Sequence, residues 1–397
     1  MLIYVVLFVC SLTMAEENQG YIFSITPETL IPEDSLLNIT QLARKYKYPL
    51  EEHTVRTEDG YIINFHRIPN RKDRRNKPVV LLMHGISESS DTWLLMGPNK
   101  ALGYVLADKG YDVWMGNCRG NKYARAHTEM TDAMIKYWHF TWEEIALYDL
   151  PAMIDYILKV TRHESLYYVA HSQGTTIGYV LCSMKPEYNY KIKMMFSLAP
   201  VAWMAHIQSP ILKMFSPAYD ILGFVLTLAG INTYEIDIDF FKQLTAFTCV
   251  VFPEKCGQIL FSFSGYETKV ESTFLPIILG HWPNGASTMQ FTHYGQLVAS
   301  QRFRRFDFGR EVNMATYGQS EPPDYDLSKV TVPVVLFYSP KDWVSDPQDV
   351  LTLKRHLPNV YGSIYLEDFT HIDYTYAPDA VDFVYRKIIR YIENLEK

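Results

Sequence analysis

The sequence is short of several things, and each shortage removes a class of protein. Cysteine is scarce, with five in 397 residues, too few for a fold stapled by disulfides. Charge is never concentrated: 37 basic and 44 acidic residues leave a net charge of −7. The densest basic run, Arg71 to Lys77, lies between HRIPN and PVVLLMHG and reads as an exposed loop tip between strands. A nucleic-acid partner needs a broader basic face and is set aside. No acidic loop has the spacing of a calcium site, and neither a metal nor a cofactor is called for. Past the N-terminus no apolar run is long enough to span a bilayer. The nearest, Ile221 to Ile231, is stopped by Asp220 and Asn232. What remains is globular, 48% hydrophobic and 20% charged, in a chain long enough to bury a large core.

The first residues, MLIYVVLFVCSLTMA, carry an apolar run from Leu2 to Met14 with small residues at Thr13 and Ala15. This is the pattern of a secretory signal peptide cut after about Ala15. No Lys or Arg follows Met1, and the alternative is an uncleaved anchor. Secretion gives meaning to two further features. Asn38-Ile39-Thr40 becomes a glycosylation sequon. Cys10 leaves with the leader, and four cysteines remain. Cys249 and Cys256, close together in TCVVFPEKC, either close a small loop or stay as buried thiols. Cys118 and Cys182 read as buried free thiols.

Apolar runs alternate with amphipathic stretches, which is the rhythm of an α/β sheet. PVVLLMHG, GYDVWMGN, SLYYVAHS and KMMFSLAPV read as strands. Thr141 to Thr161 reads as a helix with Thr141 and Glu144 as a capping box, kinked or divided at Pro151. The alternation stops after residue 202 and resumes at about residue 325 with VPVVLFYS, a helix, GSIYLED and a final helix. The expected layout is therefore a leader (1–15), a core in two parts (16–202 and 325–397), and a mainly helical insertion (203–324).

Within LYYVAHSQGTT, Ser172 stands between a strand and a helix, with Gly174 two positions on. This is a nucleophile elbow of G-x-S-x-G type in which Ala170 replaces the first glycine. The turn is strained and needs small neighbours, and alanine adds only a methyl group. An elbow requires an acid and then a histidine later in the chain. Asp342 follows one late strand, and His371 follows the next. Asp346 precedes Pro347 and reads as a helix cap instead. His356 falls on a helix surface. Backbone N–H groups of Gln173 and of Ile86, in HGISESSDTW, are the expected oxyanion donors. His84 reads as a structural histidine of that loop.

These motifs resemble the acid lipase family of animals. The resemblance rests on TEDGYIINFHRIP, PVVLLMHGISESSDTW, GYDVWMGNCRGNKYAR, YDLPAMIDYI, AHSQGTTIGY, LAPVA, VPVVLFYSPKDWVSDPQDV and THIDY, which cover most of the chain outside the insertion. It implies an α/β-hydrolase core with the insertion as a cap. It implies Ser172, Asp342 and His371 as the catalytic set, with Ile86 and Gln173 as oxyanion donors. The family's cap disulfide falls near Cys249 and Cys256. The implied partner is a lipid ester at a lipid–water interface, met in a secreted or lysosomal setting. Within the insertion, the apolar residues Leu212, Phe215, Phe224 and Leu226 are candidates for contact with an acyl chain. The expected activity is hydrolysis of triacylglycerols or sterol esters. The alternatives are a carboxylesterase for smaller esters and an inactive lipid-binding protein.

Overall fold

The computed structural model describes residues 31–70, 77–215 and 248–397. The leader, most of the basic loop tip, and Phe224 and Leu226 lie outside the described residues. Nine strands form one sheet: β1 (Glu51–Arg56), β2 (Tyr61–Ile68), β3 (Val79–Met83), β4 (Asp112–Met115), β5 (Ala126–His127), β6 (Leu166–His171), β7 (Ile192–Leu198), β8 (Val334–Tyr338) and β9 (Val360–Tyr365). Their order is β1-β2-β4-β3-β6-β7-β8-β9, with β5 on the side of β2. From β4 to β9 every pairing is parallel, while β2 runs antiparallel to β1, β4 and β5.

The apolar runs are continuous because helices cover both faces of the sheet. Side chains alternate across each strand. Leu81, Met83, Tyr168, Ala170, Met195 and Leu336 point into one cluster. Val80, Leu82, Val169, Phe196, Val335 and Phe337 point into the other. Among the covering helices, α1 (Leu102–Asp108) contributes Leu102, Tyr104 and Leu106 to the second cluster. The first cluster takes Met153, Ile154 and Ile157 from α2 (Leu150–Thr161), and Ile177, Val180 and Leu181 from α3 (Gln173–Met184).

The stretch expected as one helix from Thr141 is divided. Thr141 and Glu144 form the capping box. A π-helical turn, Ile145–Asp149, then precedes α2, whose first turn holds Pro151. Proline has no N–H to give and its ring crowds the carbonyl four residues back, so the bonding pattern changes just before it. Asp149, in that turn, accepts bonds from the Arg119 backbone N–H at 2.8 Å and from Arg119 Nε at 2.7 Å.

Among the described residues the connection from β7 to β8 adds no strand to the sheet. It carries α4 (Pro253–Ser264) and α5 (Thr288–Ser300) with shorter helices between and after them. Trp142 of the core stacks on His293 of α5 with ring centroids 3.8 Å apart. Arg305 binds Glu143 at 2.6 Å. After β8 come α6 (Pro347–His356), β9 and the closing helix α7 (Arg386–Leu395), which buries Ile388, Ile389 and Ile392 in the second cluster.

His66 of β2 is buried and its Nδ1 lies 2.9 Å from Ser90 Oγ. Burial lowers its pKa from 6.5 to about 4. The unfolded chain then takes up the proton first as pH falls. Stability contributed by the neutral ring is complete above pH 6.5 and is lost progressively toward pH 4. Thermal unfolding of His66→Gln should therefore decline less than wild type between those limits. Parallel declines in the two proteins would sink this assignment.

Candidate active site

Ser172 follows β6, which lies in mid-sheet between β3 and β7. Its backbone has φ 52° and ψ −121°, an unusual conformation for a residue with a side chain. The strand ends and α3 begins on either side of this one residue. Ser172 N–H donates to Leu198 O of β7 at 3.1 Å, and Ser172 O accepts from Thr175 N–H at 2.8 Å. A Cβ built on Gly174 would stand 2.5 Å from Met83 O, so only glycine lets α3 start this close to β3. Ala170 pairs with Met83 on one side and Ser197 on the other, fully buried, and its methyl group joins the apolar cluster.

His371 and Asp342 come from the loops beyond β9 and β8. His371 Nε2 lies 2.8 Å from Ser172 Oγ. His371 Nδ1 lies 2.9 and 3.1 Å from the two Asp342 oxygens. Asp342 is fully buried, and one of its oxygens also accepts the N–H groups of Val344 at 2.9 Å and Ser345 at 2.8 Å. A carboxylate held this way orients the ring. Asp346 accepts from Gln348 N–H at 2.8 Å and caps α6, as its position before Pro347 implied. His356 is exposed on α6.

Both loops are braced by the C-terminal end of α4. Ser264 O accepts the N–H of His371 at 3.1 Å and of Trp343 at 3.4 Å. Gly265 follows at φ 125°, and a Cβ there would lie 2.4 Å from Lys341 O. Neither Ser264 nor Gly265 carries a local sequence signal for this role.

Ile86 lines the same cavity as Ser172 and His371. Gln173 is the first residue of α3, where a backbone N–H has no intrahelical acceptor. Its side-chain Nε2 donates to Gln290 Oε1 at 2.8 Å. His84 is buried and donates from Nδ1 to Gly85 O at 2.7 Å, and burial lowers its pKa. A neutral, fixed ring is what a structural histidine requires.

Two cavities meet at Ser172. One is apolar, walled by Val201, Met204, Leu212, Phe291, Tyr294 and Val298. The other includes Glu88, His171, Ile278, Trp282 and Tyr376. Leu212 is thus placed at the site. Phe215 ends a short helix, Pro210–Phe215, and its side chain lies outside the described residues, as do Phe224 and Leu226. Phe291, Tyr294 and Val298 were not among the residues expected at the site. Their spacing of three and then four residues on α5 was the available signal. Cys249 and Cys256 are bonded, with Cα atoms 5.2 Å apart. Cys118 and Cys182 are free and buried, and burial raises the pKa of both thiols. Asn38 is exposed and caps the first-described α-helix, Ile39–Lys45, by accepting Gln41 N–H at 2.9 Å.

The sheet and the elbow define an α/β-hydrolase. The model of the alpha/beta hydrolase fold matches residues 78–225, and that of the partial alpha/beta-hydrolase lipase region matches residues 39–97. Solved structures of the same fold include a bacterial membrane phospholipase A, with TM-score 0.54 and 15% identity, covering 99% of this chain and 100% of that one. An epoxide hydrolase from Vigna radiata has TM-score 0.50 and 18% identity, covering 87% and 98%. At such identities the likeness concerns the fold alone. Curated relatives are nearer. Lipase 1 of Drosophila melanogaster is 38% identical over 367 residues, 91% of this chain and 80% of that protein. Gastric triacylglycerol lipase of Rattus norvegicus is 38% identical over 361 residues, 89% and 91%. Lysosomal acid lipase/cholesteryl ester hydrolase of Homo sapiens is 36% identical over 390 residues, 96% of each. The chain belongs to the animal acid lipase family and is an ester hydrolase.

Two substitutions test how the site is held. Ala170→Gly should lower stability by about 0.5–1 kcal/mol through backbone entropy and leave turnover close to wild type. Gly265→Ala should cost about 1–3 kcal/mol and also depress turnover, because it displaces the loops carrying Asp342 and His371. Equal turnover in both variants would show that Gly265 does not brace the site.

Proposed function

We propose that this lipase works through an acyl-enzyme on Ser172. The observation that carries the proposal is the chain of contacts from Ser172 Oγ through His371 to Asp342, at the mouth of an apolar cavity. Ser172 Oγ attacks the ester carbonyl while His371 Nε2 takes its proton. Asp342 holds the Nδ1–H and stabilises the imidazolium that forms. The N–H groups of Ile86 and Gln173 stabilise the tetrahedral oxyanion, each by about 3 kcal/mol. His371 then protonates the leaving alcohol, and water releases the acid by the same route.

The acyl chain lies in the cavity of Leu212, Phe291, Tyr294 and Val298, and residues 203–324 act as a cap over it. The substrates are triacylglycerols or sterol esters, presented at a lipid–water interface. The names of the rat and human relatives support this substrate class. The same names, with the leader-like N-terminus, support a secreted or lysosomal enzyme, and the Asn38-Ile39-Thr40 sequon supports its glycosylation. Among the described residues no helix is long and apolar enough to cross a membrane.

The test compares wild type and Ser172→Ala on emulsified long-chain triacylglycerol, a sterol ester and a soluble short-chain ester. Turnover of the emulsions that vanishes in the variant is the expected result. Turnover of the soluble ester alone would indicate a carboxylesterase. Inactivity of both proteins on every substrate would indicate a lipid-binding protein.

Glycosylation has its own test. Thr40→Ala removes the sequon and leaves the Asn38 cap in place. It should lose glycan mass without the loss of about 1 kcal/mol that Asn38→Ala should add. Unchanged mass in Thr40→Ala would refute modification at Asn38.

A further inference from the structure

We propose that Glu88 is a positioning residue that fixes the oxyanion loop, acting on the transition state through the Gly85–Ile86 backbone. The proposal rests on Ile86 being an oxyanion donor, as argued above. Glu88 is buried, and its two oxygens have different duties. Oε2 accepts Gly85 N–H at 2.7 Å. Oε1 accepts from Tyr376 Oη at 2.8 Å. Glu88 N–H also donates to Gly85 O at 3.3 Å, closing a tight turn in which Ser87 has φ 58°. Asn284 N–H holds that turn through Ser87 O at 2.7 Å.

His171, the residue before the nucleophile, joins the same carboxylate. Its Nε2 lies 2.7 Å from His371 O and must carry a proton to donate there. Nδ1 has no hydrogen-bond partner among the described residues and faces Glu88 Oε2 at 3.7 Å, an ion-pair distance. Thus one carboxylate faces the oxyanion loop, the strand that delivers Ser172, and the segment after His371. Burial alone would raise the Glu88 pKa. The neighbouring His171, with the Tyr376 hydroxyl, holds it instead at about 2.

Gly85 is the residue through which the tether acts. Glycine is the freest residue in the chain, and Ile86 N–H lies one peptide beyond Gly85 N–H. Binding the first N–H restricts the direction of the second. Glycine is also required for the contact, because a Cβ there would lie 2.9 Å from Glu88 Oε2. A donor fixed before the reaction stabilises the oxyanion without reorganising, which raises kcat and leaves ground-state binding alone.

The experiment uses the full chain and a soluble short-chain ester. Glu88→Ala, Glu88→Asp and Glu88→Gln are compared for kcat, KM and reversible inhibition by phenylboronic acid, whose tetrahedral serine adduct mimics the oxyanion state. Alanine and the shorter aspartate should lower kcat roughly 10- to 100-fold with KM within about two-fold, and weaken boronate binding by a similar factor. Glutamine can accept from Gly85 and donate to Tyr376, and should restore kcat to within about five-fold of wild type. If Glu88→Ala does not fold, the aspartate and glutamine variants decide between them. Aspartate with wild-type kcat, glutamine as impaired as aspartate, or a fall in kcat without weaker boronate binding would each overturn the proposal. Ser172→Ala is run alongside. Turnover persisting there would defeat the serine mechanism itself, whatever the Glu88 variants do.

Discussion

At φ 52° and ψ −121° the backbone of Ser172 is held where a residue with a Cβ stays only if its surroundings over-determine it. They do so on three sides. Leu198 of β7 takes its N–H, α3 begins at the next residue, and Gly174 allows that helix to start against the Met83 carbonyl. The strain has a geometric consequence. It stands Ser172 Oγ clear of the sheet edge and leaves the Gln173 N–H at a free helix end. Every other group in the site is placed relative to this turn. The methyl of Ala170 is compatible with it because that side chain points into the sheet's apolar face, away from the reacting atoms.

Parallel strands explain how residues so distant in sequence meet. Consecutive parallel strands end on the same edge, so the loops after β3, β6, β8 and β9 collect there. The contact from Ser172 to His371 spans 199 positions and closes at 2.8 Å. The connection between β7 and β8 returns to the same edge. Ser264 O holds the His371 and Trp343 N–H groups, and Gly265 fits against Lys341 O. The connection thus supports the loops carrying Asp342 and His371 as well as walling the apolar cavity.

Some of this was legible in the sequence because the signals are local. Buried strands read as apolar runs, the elbow as small residues around Ser172, and the division between Asp342 and Asp346 as the proline after the latter. The chain order of acid and histidine then left His371 as the candidate base. Other features gave no local signal. Glu88 sits in a run of polar loop residues and looks solvated, yet it is buried with Gly85, His171 and Tyr376 around it. Gly265 resembles any glycine after a helix until the Lys341 carbonyl is seen beside it. Phe291, Tyr294 and Val298 form a helical stripe, but periodicity cannot distinguish a stripe that lines a cavity from one that fills a core. The pairing of Cys249 with Cys256 was open for the same reason, since proximity in sequence does not specify proximity of the sulfur atoms.

By itself, the sequence determined the α/β layering, the serine on its turn, and the positions of Asp342 and His371 that follow. Those properties depend on side-chain type and on neighbours a few residues away. Tertiary structure alone decided which groups surround the serine: the buried Glu88 carboxylate, the Ser264 brace, and the wall supplied by α5. Such contacts join segments tens to hundreds of residues apart. They exist only because the parallel sheet delivers its loops to one edge and the β7–β8 connection folds back over them.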